Sequence, residues 1–340
     1  MGRTHGSSPT VVPRQHNNLI MRKIIGLWVL GGLILTGCDD QIEIQYQPFK
    51  SKPVIYCVID PTDTLHIIRI ERVFSGIQPP AVTSRNPDSL YFSEPKVTVS
   101  LFYANGNGGA TFEPECVEVN NKQPGYFSSP RQYLYQFKKR LQPFSTMSLK
   151  VEIPGLPLVE ASTRIIREPV IWSPNPSQQF IYMVPDSPLR IQWSGGSWNE
   201  LDFRFEIKEE YPDSITTQTI QFQKVNNGQI NGQYYEIRIP YDLVVQAIDK
   251  NLKVDRSVKK RYFGPVYFTI STGLKDYADY MEFYGGINDF NENPFSNIEN
   301  ALGLLTTRSS IKKGPYLFDQ PSRFYFAKDP VLQKLNFIEY

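Results

Sequence analysis

The side chains that usually carry catalytic chemistry are scarce in this sequence. Its 340 residues include three His and three Cys, and His5 and His16 lie in a segment that we expect to be absent from the mature protein. His66 would then act alone at the start of a strand, where a partly buried structural role is the usual one. The sequence contains no P-loop, no Gly-x-Ser-x-Gly elbow and no Gly-x-Gly-x-x-Gly motif after a strand. We therefore predict a non-enzymatic protein with no catalytic residues, no metal and no cofactor.

The strongest chemical signature is the tetrapeptide Leu-Thr-Gly-Cys at positions 35–38. It follows a basic pair and an uncharged apolar run over residues 24–35. A basic segment, an apolar segment and small residues before a cleavage point form a secretory signal, and this run is too short to span a membrane. The tetrapeptide resembles the bacterial lipobox. It predicts a signal peptide over residues 21–37 and lipidation of Cys38, whose acyl chains would hold the protein on a membrane.

The flanks of this signal suggest where the protein goes. Residues 1–20 precede a complete signal peptide, and we expect them to be a disordered, over-long start, with Met21 as the initiator. The acidic pair Asp39 and Asp40 resembles the export signal of Bacteroidota lipoproteins that reach the outer face of the outer membrane. We expect a lipid-anchored outer-membrane protein at the cell surface, with the periplasmic face as the alternative. Residues 38–50 would form a tether.

The charge balance argues against a nucleic-acid partner. The chain has 36 Lys and Arg against 34 Asp and Glu. Removal of residues 1–37, which contain four basic and no acidic side chains, leaves 32 basic and 34 acidic ones. Binding to phosphates normally requires a basic excess.

Short runs of β-branched and aromatic residues, broken by Pro, Gly, Asn and Asp, dominate the chain after the tether. Residues 54–59 and 65–74 flank a turn signal, and Asn105-Gly106 is a strong hairpin signal. This regular spacing predicts an immunoglobulin/fibronectin-like β-sandwich over residues 51–168. The Cys-Trp-Cys core arrangement of a true immunoglobulin domain is missing.

The second half of the chain is also predicted to be rich in strands. Residues 169–188 are rich in Pro, which predicts an extended linker. Beyond it, alternating large apolar residues predict strands, while helical spacing predicts short helices over 240–252 and 274–283. We expect a second β-rich domain with one or two short helices over residues 189–340, and a mainly β fold class.

The two cysteines other than Cys38 raise the question of a disulfide. Cys57 and Cys116 both lie in the first predicted domain, and they could pair in an oxidising envelope. Cys57 stands inside a strand, where a buried free thiol is equally ordinary. The sequence gives no distance between them, so both alternatives stay open.

Trp198 and Asn199 are candidate contact residues. They follow a Ser-Gly-Gly-Ser segment that reads as a loop with little to bury a Trp. An exposed Trp beside Asn could stack on a sugar ring or anchor a partner protein. The alternative is a Trp that folds back onto its own domain.

Two further patterns concern modification and metal binding. Three Asp-Ser/Thr-apolar tripeptides resemble the Bacteroidota O-glycosylation sequon, with Thr64, Ser89 and Ser214 as the acceptors, and glycans would place these turns at the surface. Residues 288–294 begin like a calcium loop. However, Pro294 replaces the turn Gly and the bidentate Glu is missing, so we predict an Asx-turn loop instead.

A resemblance to a known family lies in the tail, residues 265–310. An aromatic-rich helical segment is followed by Asn-Pro-Phe, by Ser-Asn-Ile and by a Gly before a strand. The residues concerned are Tyr277, Tyr280, Phe283, Tyr284, Asn293-Pro294-Phe295, Ser296-Asn297-Ile298 and Gly303. With the lipobox, the sandwich and the Pro-rich joint, they resemble the Bacteroidota lipoprotein family called domain of unknown function 4249. Members are often encoded near TonB-dependent receptors, which implies an accessory role in uptake and supplies no catalytic residues.

We therefore expect a non-catalytic outer-membrane lipoprotein that binds a TonB-dependent receptor or its cargo. A cell-surface structural or adhesion lipoprotein is the alternative. A carboxylate-dependent envelope hydrolase comes third, because acids are plentiful but not grouped. The expected partners are the membrane, through Cys38, and a TonB-dependent outer-membrane receptor.

Overall fold

The fold consists mainly of β-strands arranged in several sheets, which confirms the predicted fold class. The structure is a computed structural model. It describes residues 51–74, 79–106, 108–120, 131–225, 234–285 and 295–340. Three predicted features lie outside the described residues: the lipidation site Cys38, the export signal Asp39 and Asp40, and the calcium-like loop over residues 288–294. Those predictions stand as predictions.

The first sandwich consists of two four-stranded layers, one of which continues into the second half of the chain as part of a nine-stranded sheet. Its strands are β1 (Pro53–Ile59), β2 (Leu65–Arg72), β3 (Lys96–Phe102), β4 (Gly109–Phe112), β5 (Glu115–Val119), β6 (Gln132–Lys138), β7 (Thr146–Glu152) and β8 (Val159–Arg164). One layer has the order β1-β2-β6-β5 and the other β4-β3-β7-β8. These are the ABED and C′CFG orders of immunoglobulin-type sandwiches. Alternation places Ile55 and Cys57 of β1, and Met147 and Leu149 of β7, in one shared core.

The second half of the chain forms another sandwich with the same strand order. Its strands are β9 (Val170–Ser173), β10 (Phe180–Ile181), β11 (Leu189–Ser194), β12 (Trp198–Glu210), β13 (Ile215–Val225), β14 (Tyr235–Ile239), β15 (Lys260–Gly273) and β16 (Leu302–Phe318). A three-stranded sheet β14-β11-β9 faces the strands β13-β12-β15-β16. This corresponds to the strand order ABE against C′CFG. Trp193, Phe203, Phe205 and Phe268 fill the core between the layers, each fully buried.

Strand β16 belongs to both sandwiches. Its first part, residues 302–307, pairs in parallel with β1, and from Arg308 to Tyr316 it pairs antiparallel with β15. The segment predicted as a linker, residues 169–188, differs from that prediction: β9 pairs with β11, and β10 pairs in parallel with the end of β16. Because the ladder between β1 and β16 joins the two halves, residues 50–340 cluster as one compact unit, not as two units joined by a linker.

The helices are short and cover the ends and faces of the sheets. They are α1 (Pro80–Thr83), α2 (Pro87–Leu90), α3 (Tyr241–Asn251), α4 (Lys275–Gly285), α5 (Gln320–Lys328) and α6 (Pro330–Gln333). Helices α3 and α4 match the two predicted ones. Sequence reasoning missed α5 and α6. Each has a Pro near its start, preceded by an N-cap Asp, Asp319 or Asp329, whose carboxylate accepts a hydrogen bond from a backbone N–H of the first turn. Within the described ranges, no helix is both long and apolar enough to cross a bilayer.

The parallel pairing of β1 with β16 depends on a glycine. Gly303 lies opposite Ile55, has a φ of +115°, and an added Cβ would stand 1.9 Å from the Ile55 carbonyl oxygen. We predict that Gly303→Ala lowers the free energy of unfolding by roughly 3 kcal/mol, because backbone strain and a backbone clash act together. Gly155→Ala is the matched control. Gly155 also has a positive φ of +78° but nothing within 4 Å of its Cβ position, so about 1 kcal/mol is expected there.

Urea denaturation of both variants measures the difference. Equal losses at the two positions would show that the close approach of β1 and β16 is not a constraint on stability.

Candidate functional site

Trp198 and Asn199 are not surface contact residues, so the prediction of a ligand or partner contact there is wrong. Both begin strand β12 instead of lying in a loop, and they are 3% and 0% exposed. The Trp198 ring packs edge-to-face against Tyr277 of α4, with centroids 4.9 Å apart. Asn199 Oδ1 accepts a hydrogen bond of 2.9 Å from Trp193 Nε1. Asn199 therefore provides the hydrogen-bond acceptor for the buried Trp193 indole N–H, and Trp198 packs helix α4 against the sheet.

Cys57 and Cys116 are free thiols, so the disulfide alternative is wrong and the free-thiol alternative is correct. Cys57 lies on β1 and Cys116 on β5, with β2 and β6 between them. Three strand spacings separate them by roughly 14 Å, whereas a disulfide requires Cα atoms within about 7 Å. Burial raises the pKa of the Cys57 thiol to about 12.

His66 has a structural role. The side chain is 3% exposed, its ring packs on Phe137, and Nε2 lies 2.9 Å from the Lys139 carbonyl oxygen. Burial lowers the pKa of the imidazole, which favours the neutral form. In the part of the chain that the structure describes, no three His, Cys, Asp or Glu side chains group as metal ligands.

The three predicted glycosylation acceptors lie in different surroundings. Thr64 and Ser214 are exposed in the turns that precede β2 and β13, while Ser89 is half-buried in α2. The Ser89 carbonyl oxygen accepts a hydrogen bond from Arg72 Nε at 3.1 Å. Thr64 and Ser214 are thus accessible to a modifying enzyme, and glycosylation of all three residues stays a prediction.

Two buried carboxylates are committed to internal ion pairs. Glu209 is 3% exposed and accepts a hydrogen bond from Arg261, which is 2% exposed. Glu236 accepts hydrogen bonds from Arg190, Arg238 and Gln192. For Glu236, burial favours the neutral acid, but the three donors outweigh it and lower the pKa to about 2. These charges stabilise the second sandwich and are not free for a ligand.

A cleft where the two sandwiches meet is the best candidate for a binding site. We call it the junction cleft; its volume is about 860 Å³, within the range typical of ligand sites. Its floor includes the buried side chains of Leu141 and Ile171. Its polar wall consists of Arg140, Arg167 and Lys313, with Glu168 beside them.

The backbone around the junction cleft is fixed from several sides. Thr307 Oγ1 of β16 donates to the Arg164 carbonyl oxygen at 2.8 Å, and Ile165 N donates to the Ser145 carbonyl oxygen at 2.8 Å. These bonds hold the connection between β8 and β9, which carries Arg167. Lys139 N donates to the carbonyl oxygen of the turn residue Thr64 at 2.8 Å and thereby places Arg140.

The cations of the junction cleft differ from those around Glu236. Within the described ranges, Arg140, Arg167 and Lys313 form no ion pair or side-chain hydrogen bond, and neither does Glu168. Three unpaired cations and one carboxylate give the cleft a positive balance. Such a surface attracts an anionic group. Sequence reasoning missed these residues because they lie up to 173 positions apart and only the fold brings them together.

The Glu236 cluster makes stability depend on pH. A carboxyl whose folded pKa lies below its unfolded value stabilises the fold above the unfolded pKa, and this contribution is lost as pH falls through the folded pKa. For Glu236, the stabilising contribution is therefore lost as the pH falls from 4.5 to about 2. Both Arg partners are more than half exposed, so after discounting for solvent screening the contribution is roughly 2 kcal/mol.

We predict that Glu236→Gln lowers the free energy of unfolding at pH 7 by roughly 2 kcal/mol. The variant should also show a weaker dependence of this free energy on pH between 4.5 and about 2. Chemical denaturation at several pH values tests it, with the exposed Glu339→Gln as the matched control. A wild-type slope that persists in Glu236→Gln would assign the effect to other acids.

Comparison with known proteins identifies no family for this chain. No protein-family model matches it, and no curated protein matches it significantly. Among solved structures it is similar to the C-terminal globular domain of an oligosaccharyltransferase from Pyrococcus abyssi, with 10% sequence identity and a TM-score of 0.22. The match covers 63% of this chain and 45% of that chain, so this chain spans less than half of it. A similarity this weak carries no argument about function.

Proposed function

We propose that this protein is a non-catalytic lipoprotein of the outer membrane, exposed at the cell surface, that serves as a binding subunit of a TonB-dependent uptake system. The lipobox at positions 35–38 and the acidic pair behind it support the location. The resemblance to the domain of unknown function 4249 supports the uptake system. Immunoglobulin-type sandwiches serve many unrelated functions, so the role is argued from the site.

The observation that carries the proposal is the junction cleft with its three unpaired cations. Its walls come from two sandwiches that share β16, so the backbone positions that carry the cations are fixed before a ligand arrives. A preorganised site loses less conformational entropy on binding than a flexible one. The partner would insert a short acidic segment, whose carboxylates pair with Arg140, Arg167 and Lys313.

Lipidation of Cys38 would strengthen such an interaction. An anchored protein and a membrane-embedded receptor share one plane, so their effective concentration rises without any new contact. A cleft of modest intrinsic affinity is then sufficient. This also explains why the site can depend on a few charges instead of a large apolar surface.

The junction cleft is tested by neutralising its cations. We predict that the triple variant Arg140→Gln, Arg167→Gln, Lys313→Gln weakens receptor binding about a hundredfold, since each charge pair contributes roughly 1 kcal/mol. The measurement is an affinity pull-down of the tagged, lipidated protein from gently solubilised outer membranes, quantified by mass spectrometry. The wild type should recover a TonB-dependent receptor in stoichiometric amount, and recovery should fall with added salt.

The matched control replaces three exposed cations outside the cleft, Arg85, Lys253 and Lys334, by Gln. It should recover as much receptor as the wild type does. Equal recovery by the triple cleft variant would remove the cleft from the proposal. Recovery of the wild-type protein alone would favour a free-standing surface adhesin.

The lipid anchor is tested by Cys38→Ala. We predict that this variant is no longer labelled by a radioactive fatty acid and no longer sediments with membranes, because the only acylated side chain of the proposal is gone. Subcellular fractionation and metabolic labelling measure both effects. A Cys38→Ala protein that still carries lipid would contradict the anchor assignment.

A further inference from the structure

A second cavity, which we call the aromatic pocket, opens in the first sandwich. Its volume is about 720 Å³, again in the range of ligand sites. It lies among β3, the paired strands β5 and β6, and the segment that contains α2. Its aromatic walls are Tyr91, Phe92, Tyr133 and Tyr135. It shares no lining residue with the junction cleft.

The aromatic side chains are held in fixed positions. Tyr91 and Tyr133 contact each other edge-to-face, with centroids 5.2 Å apart and an interplanar angle of 88°. The Arg72 guanidinium lies 5.8 Å from the centroid of Phe92, and Arg72 Nε also donates to the carbonyl oxygen of Ser89. Both Tyr rings line the pocket and lie perpendicular to each other. Fixed aromatic faces bind a ligand with little loss of side-chain entropy.

Charged groups of both signs surround these rings. Asp88, Glu94 and Glu113 supply carboxylates, while Arg72 and Lys96 supply cations. Among these carboxylates, Glu113 is the one that forms an ion pair within the described residues, since Lys96 Nζ lies 4.0 Å from its Oε1. Within the described ranges, the carboxylates of Asp88 and Glu94 form no ion pair or side-chain hydrogen bond. Hydrogen-bond acceptors thus outnumber cations around the rings.

The backbone at Glu94 adds an independent observation. Glu94 has a φ of +53°, in the left-handed region that Gly or Asn adopts far more readily. A residue other than Gly persists there when the surrounding structure imposes it, and such residues concentrate at functional sites. Here the strained position holds a carboxylate beside the aromatic walls.

We propose that the aromatic pocket binds a carbohydrate ring of mono- or disaccharide size. The C–H face of a sugar ring packs on an aromatic face, while adjacent hydroxyl groups donate to carboxylates and accept from Lys or Tyr. A strongly anionic ligand would meet three carboxylates, and a purely apolar one would leave those carboxylates desolvated and unpaired. A neutral polyhydroxylated ring matches both the aromatic walls and the mixed charged groups. This site is independent of the proposed receptor contact.

The test uses the detergent-solubilised full chain on an array of immobilised neutral oligosaccharides of glucose, galactose, mannose and N-acetylhexosamines. At least one glycan should bind, and titration calorimetry then gives its affinity in solution. The double variant Glu94→Gln, Glu113→Gln should weaken that affinity at least tenfold, and so should Tyr133→Ala. The exposed Glu339→Gln should leave it unchanged.

A stability measurement separates binding from folding. Glu94→Gly removes the side chain and relieves the strained backbone, so it should raise the melting temperature while lowering glycan affinity. A variant that loses affinity because it unfolds would show the opposite change in melting temperature. The proposal is overturned if no glycan binds above background, or if the pocket variants bind as tightly as Glu339→Gln.

Discussion

The pairing of β16 with two sandwiches is the constraint on which the rest of the structure depends. Residues 302–307 complete a parallel ladder with β1, and the residues that follow complete an antiparallel ladder with β15. Separating the two sandwiches would leave backbone N–H and C=O groups without partners on both sides. The sandwiches therefore form one body, and the junction cleft between them has fixed walls. Gly303 permits the arrangement because the backbone of β1 occupies the space that a side chain would need.

The crossing region of β16 is covered on both faces, which explains its composition. Thr306, Thr307 and Ser309 are 0% exposed although they are polar. Small β-branched and hydroxyl side chains fit between two packed layers where larger apolar residues would separate them. Thr307 uses its hydroxyl to hold the connection between β8 and β9. Thus the strand that joins the sandwiches also places the segment that carries Arg167.

The sequence predicts local structure well and long-range structure poorly, for physical reasons. Period-two alternation predicts the strands around Ile68 and Phe203, and helical spacing predicts α3 and α4. The Pro-rich segment 169–188 resembles a linker because Pro weakens strands in general, yet the short edge strand β9 lies between Pro169 and Pro174 and contains no Pro itself. The Ser and Gly residues before Trp198 predict a loop at that position. Its cover comes from Tyr277, 79 residues later, and no local pattern reports such a contact.

The charged side chains include two contrasting sets: buried ones that are paired within the fold, and more accessible ones, most of which have no ion-pair partner within the described residues. Glu209 and Glu236 are buried, and each is matched by Arg partners, because an unmatched buried carboxylate would cost several kcal/mol. The cations of the junction cleft and the carboxylates of the aromatic pocket lie where water reaches them, so folding does not require their pairing. Retaining three like charges such as Arg140, Arg167 and Lys313 around one cleft slightly opposes folding through repulsion. A partner whose carboxylates pair with these cations relieves the repulsion, and this relief adds to the free energy of binding.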